Sequence, residues 1–165
     1  MTELTLSLHL ETPADNAAID RLHERAFGPG RFARTAFRLR EGVPPVHELC
    51  FTARVGTLLV GSIRLSGLVI GTAPALLLGP VTIDPAFQSR GIGGALIRKS
   101  LEVARAQGHR LVVLVGDAPY YNRFGFHMVP RGRITLPGPV DPARLLWAEL
   151  VPDASAGVSG PVRGA

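Results

Sequence analysis

Apolar and polar positions alternate at the start of the chain, where Leu4, Leu6, Leu8 and Leu10 are each separated by a polar residue, and this period of two predicts a strand. Thr12-Pro13-Ala14-Asp15 then supplies an N-cap with proline at the first helical position. Ile19, Leu22, Ala26 and Phe27 follow on one helical face, and Gly28 closes the segment. A second helix, strongly basic, is predicted where Phe32, Ala36 and Leu39 recur among Arg31, Arg34, Arg38 and Arg40; Gly42 and Pro44-Pro45 stop it. From residue 49 to residue 84 the texture becomes β-branched and leucine-rich, broken at Val55-Gly56, Gly61, Gly67 and Gly71, which predicts a three-strand meander. Its last strand carries Leu76-Leu77-Leu78 and Val81-Thr82-Ile83, a nearly continuous apolar run suited to a central strand covered on both faces. Gly79-Pro80 interrupts that run. Proline cannot donate to a ladder and glycine tolerates a kink, so a bulge or a splayed register is predicted there.

A helix over about residues 91–106 turns Ile92, Leu96, Ser100 and Val103 inward and Arg98, Glu102 and Arg105 outward, ending at Gly108. Leu111-Val112-Val113-Leu114-Val115 reads as another buried strand, and strand-helix-strand order implies a right-handed parallel crossover. A short turn over 120–124 and strands near 126–129 and 145–150 complete the pattern. Residues 151–165 are small and polar and read as an irregular tail. With no internal repeat and no linker, the reading is one domain over residues 3–150 followed by that tail.

Composition narrows the classes without naming a function. At 165 residues there is room for one core. With 46% hydrophobic and 19% charged residues, the chain has ample apolar surface to offset ordering entropy, which excludes global disorder. The net charge is +5, and Lys99 is the single lysine among the 18 basic residues, so the positive charge is carried by guanidinium groups suited to anionic ligands. Cys50 stands alone, so no intrachain disulfide can form, and a reducing cytoplasm is the expected compartment. His9, His23, His47, His109 and His127 form no metal-binding pattern and no metal is expected. No apolar run approaches the ~20 residues that span a bilayer.

The strongest local signal is Gln88-Ser89-Arg90-Gly91-Ile92-Gly93-Gly94-Ala95, between a buried strand and an amphipathic helix. Its glycines let successive backbone N–H groups turn toward one point, and the helix start adds positive potential, an arrangement fit for a pyrophosphate. The plain alternative is a strand-to-helix turn with packing glycines. Dinucleotide and P-loop patterns do not fit: Leu96 occupies the third-glycine position, and the GK[ST] ending is missing. Gln/Arg-x-x-Gly-x-Gly/Ala does fit. Together with Val81-Thr82-Ile83-Asp84-Pro85, it resembles the acetyl-CoA-binding motif of GNAT-type N-acetyltransferases. Tyr121-Asn122-Arg123-Phe124-Gly125-Phe126 is similar to the Tyr-x-x-x-Gly-Phe segment of that family, and the string from Gly116 to Phe126, with the tail, resembles its YhbS-like branch. The likeness spans about residues 3–150.

That resemblance implies the GNAT (acyl-CoA N-acyltransferase) α/β fold, a mixed, mostly antiparallel sheet of six to seven strands flanked by about four helices. It implies acetyl-CoA as cosubstrate, without metal, and direct transfer of acetyl to an amine in a ternary complex. The cofactor-binding residues it marks are Val81, Thr82, Ile83, Gln88, Ser89, Arg90, Gly91, Ile92, Gly93, Gly94, Tyr120 and Phe124. Amides of residues 88–93 would hold the pyrophosphate, while Val81 and Ile83 run beside pantetheine, whose two amides behave like an extra strand edge. Pro80 cannot donate to the thioester carbonyl. Tyr121 is the implied general acid: a phenol of pKa about 10 is protonated at neutral pH and can hydrogen-bond to and protonate the departing thiolate. An aromatic plug between short helix and sheet is the alternative, and adjacent Tyr120 is the other possible donor. For the base, residues 76–83 hold no acid and Asp84 sits at the strand end beside the loop, which favours an acceptor amine of low pKa or a water chain; Glu48 and Asp117 are the other candidates, without support from spacing. Cys50 reads as a core thiol, Trp147 as an anchor of the last strand, and the arginines of 31–40 as a solvated face or a selector of an acidic acceptor. The acceptor would be a small-molecule or protein amine and the protein a monomer or homodimer, with no membrane or nucleic-acid partner expected. Two rival functions share the same loop: a non-catalytic acyl-CoA-binding or regulatory module, and an acetyltransferase acting on aminoacyl-tRNA.

Overall fold

A computed structural model describes residues 5–27 and 35–165. Leu4 and the predicted basic helix's Arg31, Phe32 and Arg34 lie outside the described residues. Strand β1 (Leu6–Leu10) leads through a 3-10 turn (Pro13–Asp15) into helix α1 (Asn16–Phe27). The Thr12 backbone N–H donates to the Asp15 carboxylate at 2.9 Å, and Pro13 takes the first position of the turn. Helix α2 (Thr35–Arg40) precedes the meander β2 (Phe51–Val55), β3 (Leu58–Ile70) and β4 (Ala73–Ile83). Arg54 of β2 donates back to Asp15 at 2.6 Å, tying the helix start to the sheet.

The predicted breaks at Gly61 and Gly67 are not breaks, because β3 runs through both. Gly61 serves another purpose. A Cβ there would lie 3.1 Å from the Cδ1 atoms of both Ile83 and Leu96, so the missing side chain is what lets the following helix sit close to the sheet. That helix is α3 (Ile92–Ala106), followed by β5 (Leu111–Val115), the short α4 (Ala118–Tyr121), β6 (His127–Met128), β7 (Ile134–Thr135), β8 (Leu145–Glu149) and β9 (Gly160–Gly164).

The described strands form one nine-stranded sheet in the order β1-β2-β3-β4-β5-β8-β6, with β9 on β3 and β7 on β9. Two expectations are thereby corrected. The sheet exceeds six to seven strands, and residues 151–165 do not form an irregular tail. Val162 pairs with Ile70 and is buried with Ala154 and Val158, while Arg133 donates to the carbonyls of Ser155 and Val158 at 2.7 and 2.9 Å. Small residues hide the strand period here; the far end of the long β3 supplies the partner.

Alternation sorts the core onto two faces. Leu76, Leu78, Val112, Leu114, Leu146 and Ala148 face α3, which contributes Leu96, Ile97, Leu101 and Ala104. Ser100, the polar residue on that helix face, donates to the Leu49 carbonyl at 3.0 Å. Ala75, Leu77, Leu111, Val113, Leu145 and Trp147 face the other way, with Leu39 of α2 and Val162 of β9.

The irregularity predicted at Gly79-Pro80 is present. Leu65 pairs with Leu78 and Ile63 with Val81, so Gly79 and Pro80 together stand opposite Arg64, and Gly79 takes φ 131°, a value glycine tolerates. Parallel pairing of β4 to β5 is confined to Leu76 with Val112 and Leu77 with Val113. Beyond that point the two central strands part.

Candidate active site

The loop after β4 is fastened before it is shaped. Asp84 accepts from the Ala86 N–H at 3.0 Å and from Arg25 of α1 at 3.0 Å, so this carboxylate is engaged in capping and in an ion pair, a poor start for a general base. Ser89 and Gly91 then adopt left-handed φ values of 63° and 77°, and α3 begins at Ile92. Its first-turn N–H groups precede the Ala95-to-Gly91 bond and have no helical acceptor, so they face outward at the positive end of a 15-residue helix.

Around this helix start lies a cavity of about 570 Å³. Of the predicted residues, Ile83, Gln88, Ser89, Gly91, Ile92, Gly93, Gly94, Tyr120 and Phe124 line it. Arg90 and Thr82 do not: Arg90 is exposed with its guanidinium 5.2 Å above the Phe87 ring, and Thr82 is buried within the sheet. A Cβ on Gly93 would stand 2.9 Å from the Tyr120 hydroxyl, which also lines this cavity. Two cations to which the sequence assigns no site role also line the cavity, Arg98, expected only on the outward helix face, and Arg123, stacked over Phe124 and Tyr120 at 5.0 and 4.9 Å. Arg98 lies one turn beyond Gly94, a spacing that places it on the loop's face of the helix.

A second cavity, of about 770 Å³, opens where β4 and β5 part. Leu78, Gly79, Pro80 and Val81 form one wall, and Val115, Gly116, Asp117 and Tyr121 another. Strand β4 thus contributes Val81 to one cavity and Ile83 to the other. The two tyrosines divide in the same way. Their rings meet edge-on at 5.0 Å, but Tyr120 lines the helix-start cavity and Tyr121 the second. Tyr121 lies over Gly116, whose Cβ would come within 2.5 Å of the ring, and touches the fully buried Phe126 at 6.0 Å between centroids. Burial, followed by the neighbouring Tyr120, pushes the Tyr121 phenol up to about 12, against the opposing pull of Arg144.

Helix α1 supplies the third wall with Asp20, His23, Glu24 and Phe27. These sit at i, i+3, i+4 and i+7, a spacing legible in the sequence, although the apolar face of Ile19, Leu22, Ala26 and Phe27 drew the expectation and Asp20, His23 and Glu24 carried none. Asp117 reaches this cavity; Glu48 lines neither. Arg64 also lines it, held by Glu11 through a bidentate contact at 2.7 and 3.1 Å. Cys50 belongs to the core: its Sγ donates to the Val46 carbonyl at 3.2 Å, and burial pushes the thiol up to about 11. Among the described residues no cluster of three or more His, Cys, Asp or Glu could hold a metal ion, and no helix is long and apolar enough to cross a membrane.

A parted central strand pair beside a glycine-rich helix start defines an acyl-CoA-dependent acyltransferase class, and sequence comparison places the chain within it. Residues 46–128 match the acetyltransferase (GNAT) domain family. The uncharacterised N-acetyltransferase YjhQ of Escherichia coli K12 is 31% identical over 130 residues, 76% of this chain and 72% of the relative. The crystal structure of the GNAT-family N-acetyltransferase YhbS from Escherichia coli, in complex with CoA, superposes with a TM-score of 0.85 at 24% identity, covering 100% of this chain and 92% of that one. A GNAT-family acetyltransferase from Brucella melitensis, in complex with acetyl-CoA, shares 32% identity at a TM-score of 0.63 over 86% of this chain and 94% of its own. The chain belongs to the GNAT family and is a YhbS-like N-acetyltransferase.

Proposed function

We propose that the protein moves acetyl from acetyl-CoA to an amine by direct attack in a ternary complex. The observation that carries this reading is the parting of β4 from β5 after Leu77 and Val113, which leaves a strand edge leading from one cavity to the other. Pantetheine amides suit such an edge. The pyrophosphate would rest on the first-turn N–H groups of α3, with Arg98 and Arg123 as additional cations, and the space kept free at Gly93 fits a group that approaches backbone closely. The acetyl group then lies beside Gly79 and Val81, with the amine entering from the α1 side.

In the reaction the amine nitrogen bonds to the acetyl carbon, the carbon–sulfur bond breaks, and the electron pair leaves on sulfur. The proton lost by nitrogen balances the one gained by sulfur. Tyr121 assists the departing sulfur. With the phenol near 12 and a CoA-type thiol near 8.5, complete transfer from tyrosine is uphill by roughly three powers of ten. Its contribution is therefore a hydrogen bond that strengthens as charge builds on sulfur. Removal of the acceptor's proton falls to the carboxylates on the same cavity, Asp20 and Glu24 of α1 and Asp117.

Tyr121→Phe tests the assignment. The rate of thiol release should fall by roughly 10²–10³-fold, while calorimetric heat on titrating acetyl-CoA persists. Undiminished turnover in that variant would remove the hydrogen-bonding role of Tyr121, and absence of heat with the wild-type protein at millimolar acetyl-CoA would remove the site altogether.

A further inference from the structure

We infer that Arg144 is the counter-charge for the thiolate that leaves acetyl-CoA, acting on the departing sulfur from beside Tyr121; this rests on the transferase reading above. The requirement comes from the tyrosine. A phenol of pKa about 12 passes its proton to a CoA-type thiol only uphill, so negative charge stays on sulfur once the carbon–sulfur bond has broken. In a cleft covered by the bound thioester, such a charge costs far more than in water unless a cation stands near it.

The fold places Arg144 to meet that charge. It ends the 3-10 turn Pro142–Arg144, which Asp141 caps by accepting from the Ala143 N–H at 2.9 Å, while the Arg144 N–H donates to the Asp141 carbonyl at 2.9 Å. The Arg144 carbonyl in turn accepts from the Gly116 N–H at 2.9 Å, and Gly116 is the residue over which Tyr121 lies. Turn and phenol are therefore anchored on the same residue. From that anchor the Arg144 side chain lines the cavity shared by Gly116, Asp117 and Tyr121. Its guanidinium makes no ion pair with a described carboxylate, whereas Arg64 in the same lining is already held by Glu11. The neighbours whose charge acts on the Tyr121 phenol are Tyr120, Arg144 and Asp117, and of these Arg144 is the one that favours negative charge there. A sulfur within hydrogen-bond reach of that phenol stands in the same field.

No further reactant enters. The amine nitrogen bonds to the acetyl carbon, the carbon–sulfur bond breaks, and the electron pair goes to sulfur, which takes up the proton lost by nitrogen afterwards. Arg144 neither gives nor takes a proton, because a guanidinium stays charged throughout. Its contribution is to make the thiolate a better leaving group.

The test reads the sulfur directly and uses no acceptor. CoA and acetyl-CoA differ in the free thiol, so the ratio of their affinities across pH reports ionisation of the bound thiol. In the wild-type protein, calorimetry between about pH 6.5 and about pH 9.5 should show CoA gaining on acetyl-CoA by roughly fivefold or more, as follows from a bound-thiol pKa of about 7.5 against about 8.5 in water. Arg144→Gln should lose more than half of that gain and Arg144→Lys should keep most of it, with the affinity for acetyl-CoA within about twofold of wild type in both. A wild-type ratio that is flat or falls with pH overturns the proposal, and so does an undiminished gain in Arg144→Gln. Equal losses of CoA and acetyl-CoA affinity at every pH in Arg144→Gln would make Arg144 a holder of the cofactor's body and overturn the thiolate role as well. Failure of the underlying reading is recognised separately, by the absence of heat with acetyl-CoA in the wild-type protein.

Discussion

Gly93 separates a glycine that makes room for a ligand from one that makes room for the protein's own core. In Gly93→Ala the new Cβ would stand 2.9 Å from the Tyr120 hydroxyl, with Ile83 Cγ1 next at 3.7 Å, an ordinary contact. The close neighbour is the far end of a flexible side chain, so it can move at small cost. Replacing a helical glycine by alanine contributes about 0.5–1 kcal/mol, so the variant should be as stable as the parent or slightly more so. Binding should respond with the opposite sign, because the methyl and the displaced Tyr120 both occupy the cavity at the start of α3. A tenfold or greater loss of acetyl-CoA affinity is expected, about 1.4 kcal/mol or more. Gly61→Ala is the contrast. Its Cβ would lie 3.1 Å from Ile83 Cδ1, 3.1 Å from Leu96 Cδ1 and 3.3 Å from Ala53 Cβ, all in the packed interior. Overpacking of this kind costs about 1–3 kcal/mol, and each kcal/mol lowers Tm by about 2–4 °C at this chain length. Thermal melts and calorimetry on the two variants give a two-by-two outcome. If Gly93→Ala melts early like Gly61→Ala and still binds acetyl-CoA at parental affinity, then Gly93 is a packing residue and the cradle argument is refuted.

Two further perturbations probe parts of the fold that bear on the site. The Cys50 thiol rises from an ordinary 9.0 to about 11, so the folded protein keeps a proton that the unfolded chain releases. Stability from this group is complete below pH 9 and disappears as pH climbs through 11; between pH 8 and 10 the loss is about 1.3 kcal/mol. Urea midpoints should show that decline in the parent and a shallower one in Cys50→Ala; equal declines would contradict the buried-thiol account. Gly164→Val places a Cβ 2.6 Å from Val43 Cγ2 and 2.7 Å from the Leu39 carbonyl, a backbone atom that cannot step aside cheaply. Strand β9 thereby buttresses the end of α2, from which Arg40 and Val43 reach the second cavity. Initial-rate kinetics should show the acceptor KM rising several-fold with the acetyl-CoA KM within about twofold, and a change confined to acetyl-CoA would dismiss the buttress.

Local pattern was enough for the elements around the loop. The Thr12-to-Asp15 helix start, the apolar stripe of α3, the run through β4 and the interruption at Gly79-Pro80 all depend on residues within a few positions of one another. Strand β9 escaped because one buried valine among glycine, proline and arginine carries no period; pairing with β3 more than ninety positions earlier defines it. Gly61 and Gly67 misled for the complementary reason. Glycine in isolation signals a turn, yet between packed layers it signals close approach.

The order of glycines at 88–94, the neighbouring Tyr121 segment and the apolar periods were properties of the chain itself, and they determined the fold family and the glycine-rich start of α3. Which residues share a space was not. Asp20 and Glu24, Arg40, Asp117 and Arg144 come from four places along the chain and meet because β4 and β5 separate beyond a two-residue pairing, while Tyr120 and Tyr121, adjacent in sequence, line different cavities. Backbone conformation follows local chemistry over a few residues, whereas the charge around a reacting atom depends on side chains that long-range packing delivers, and only the assembled sheet specifies those.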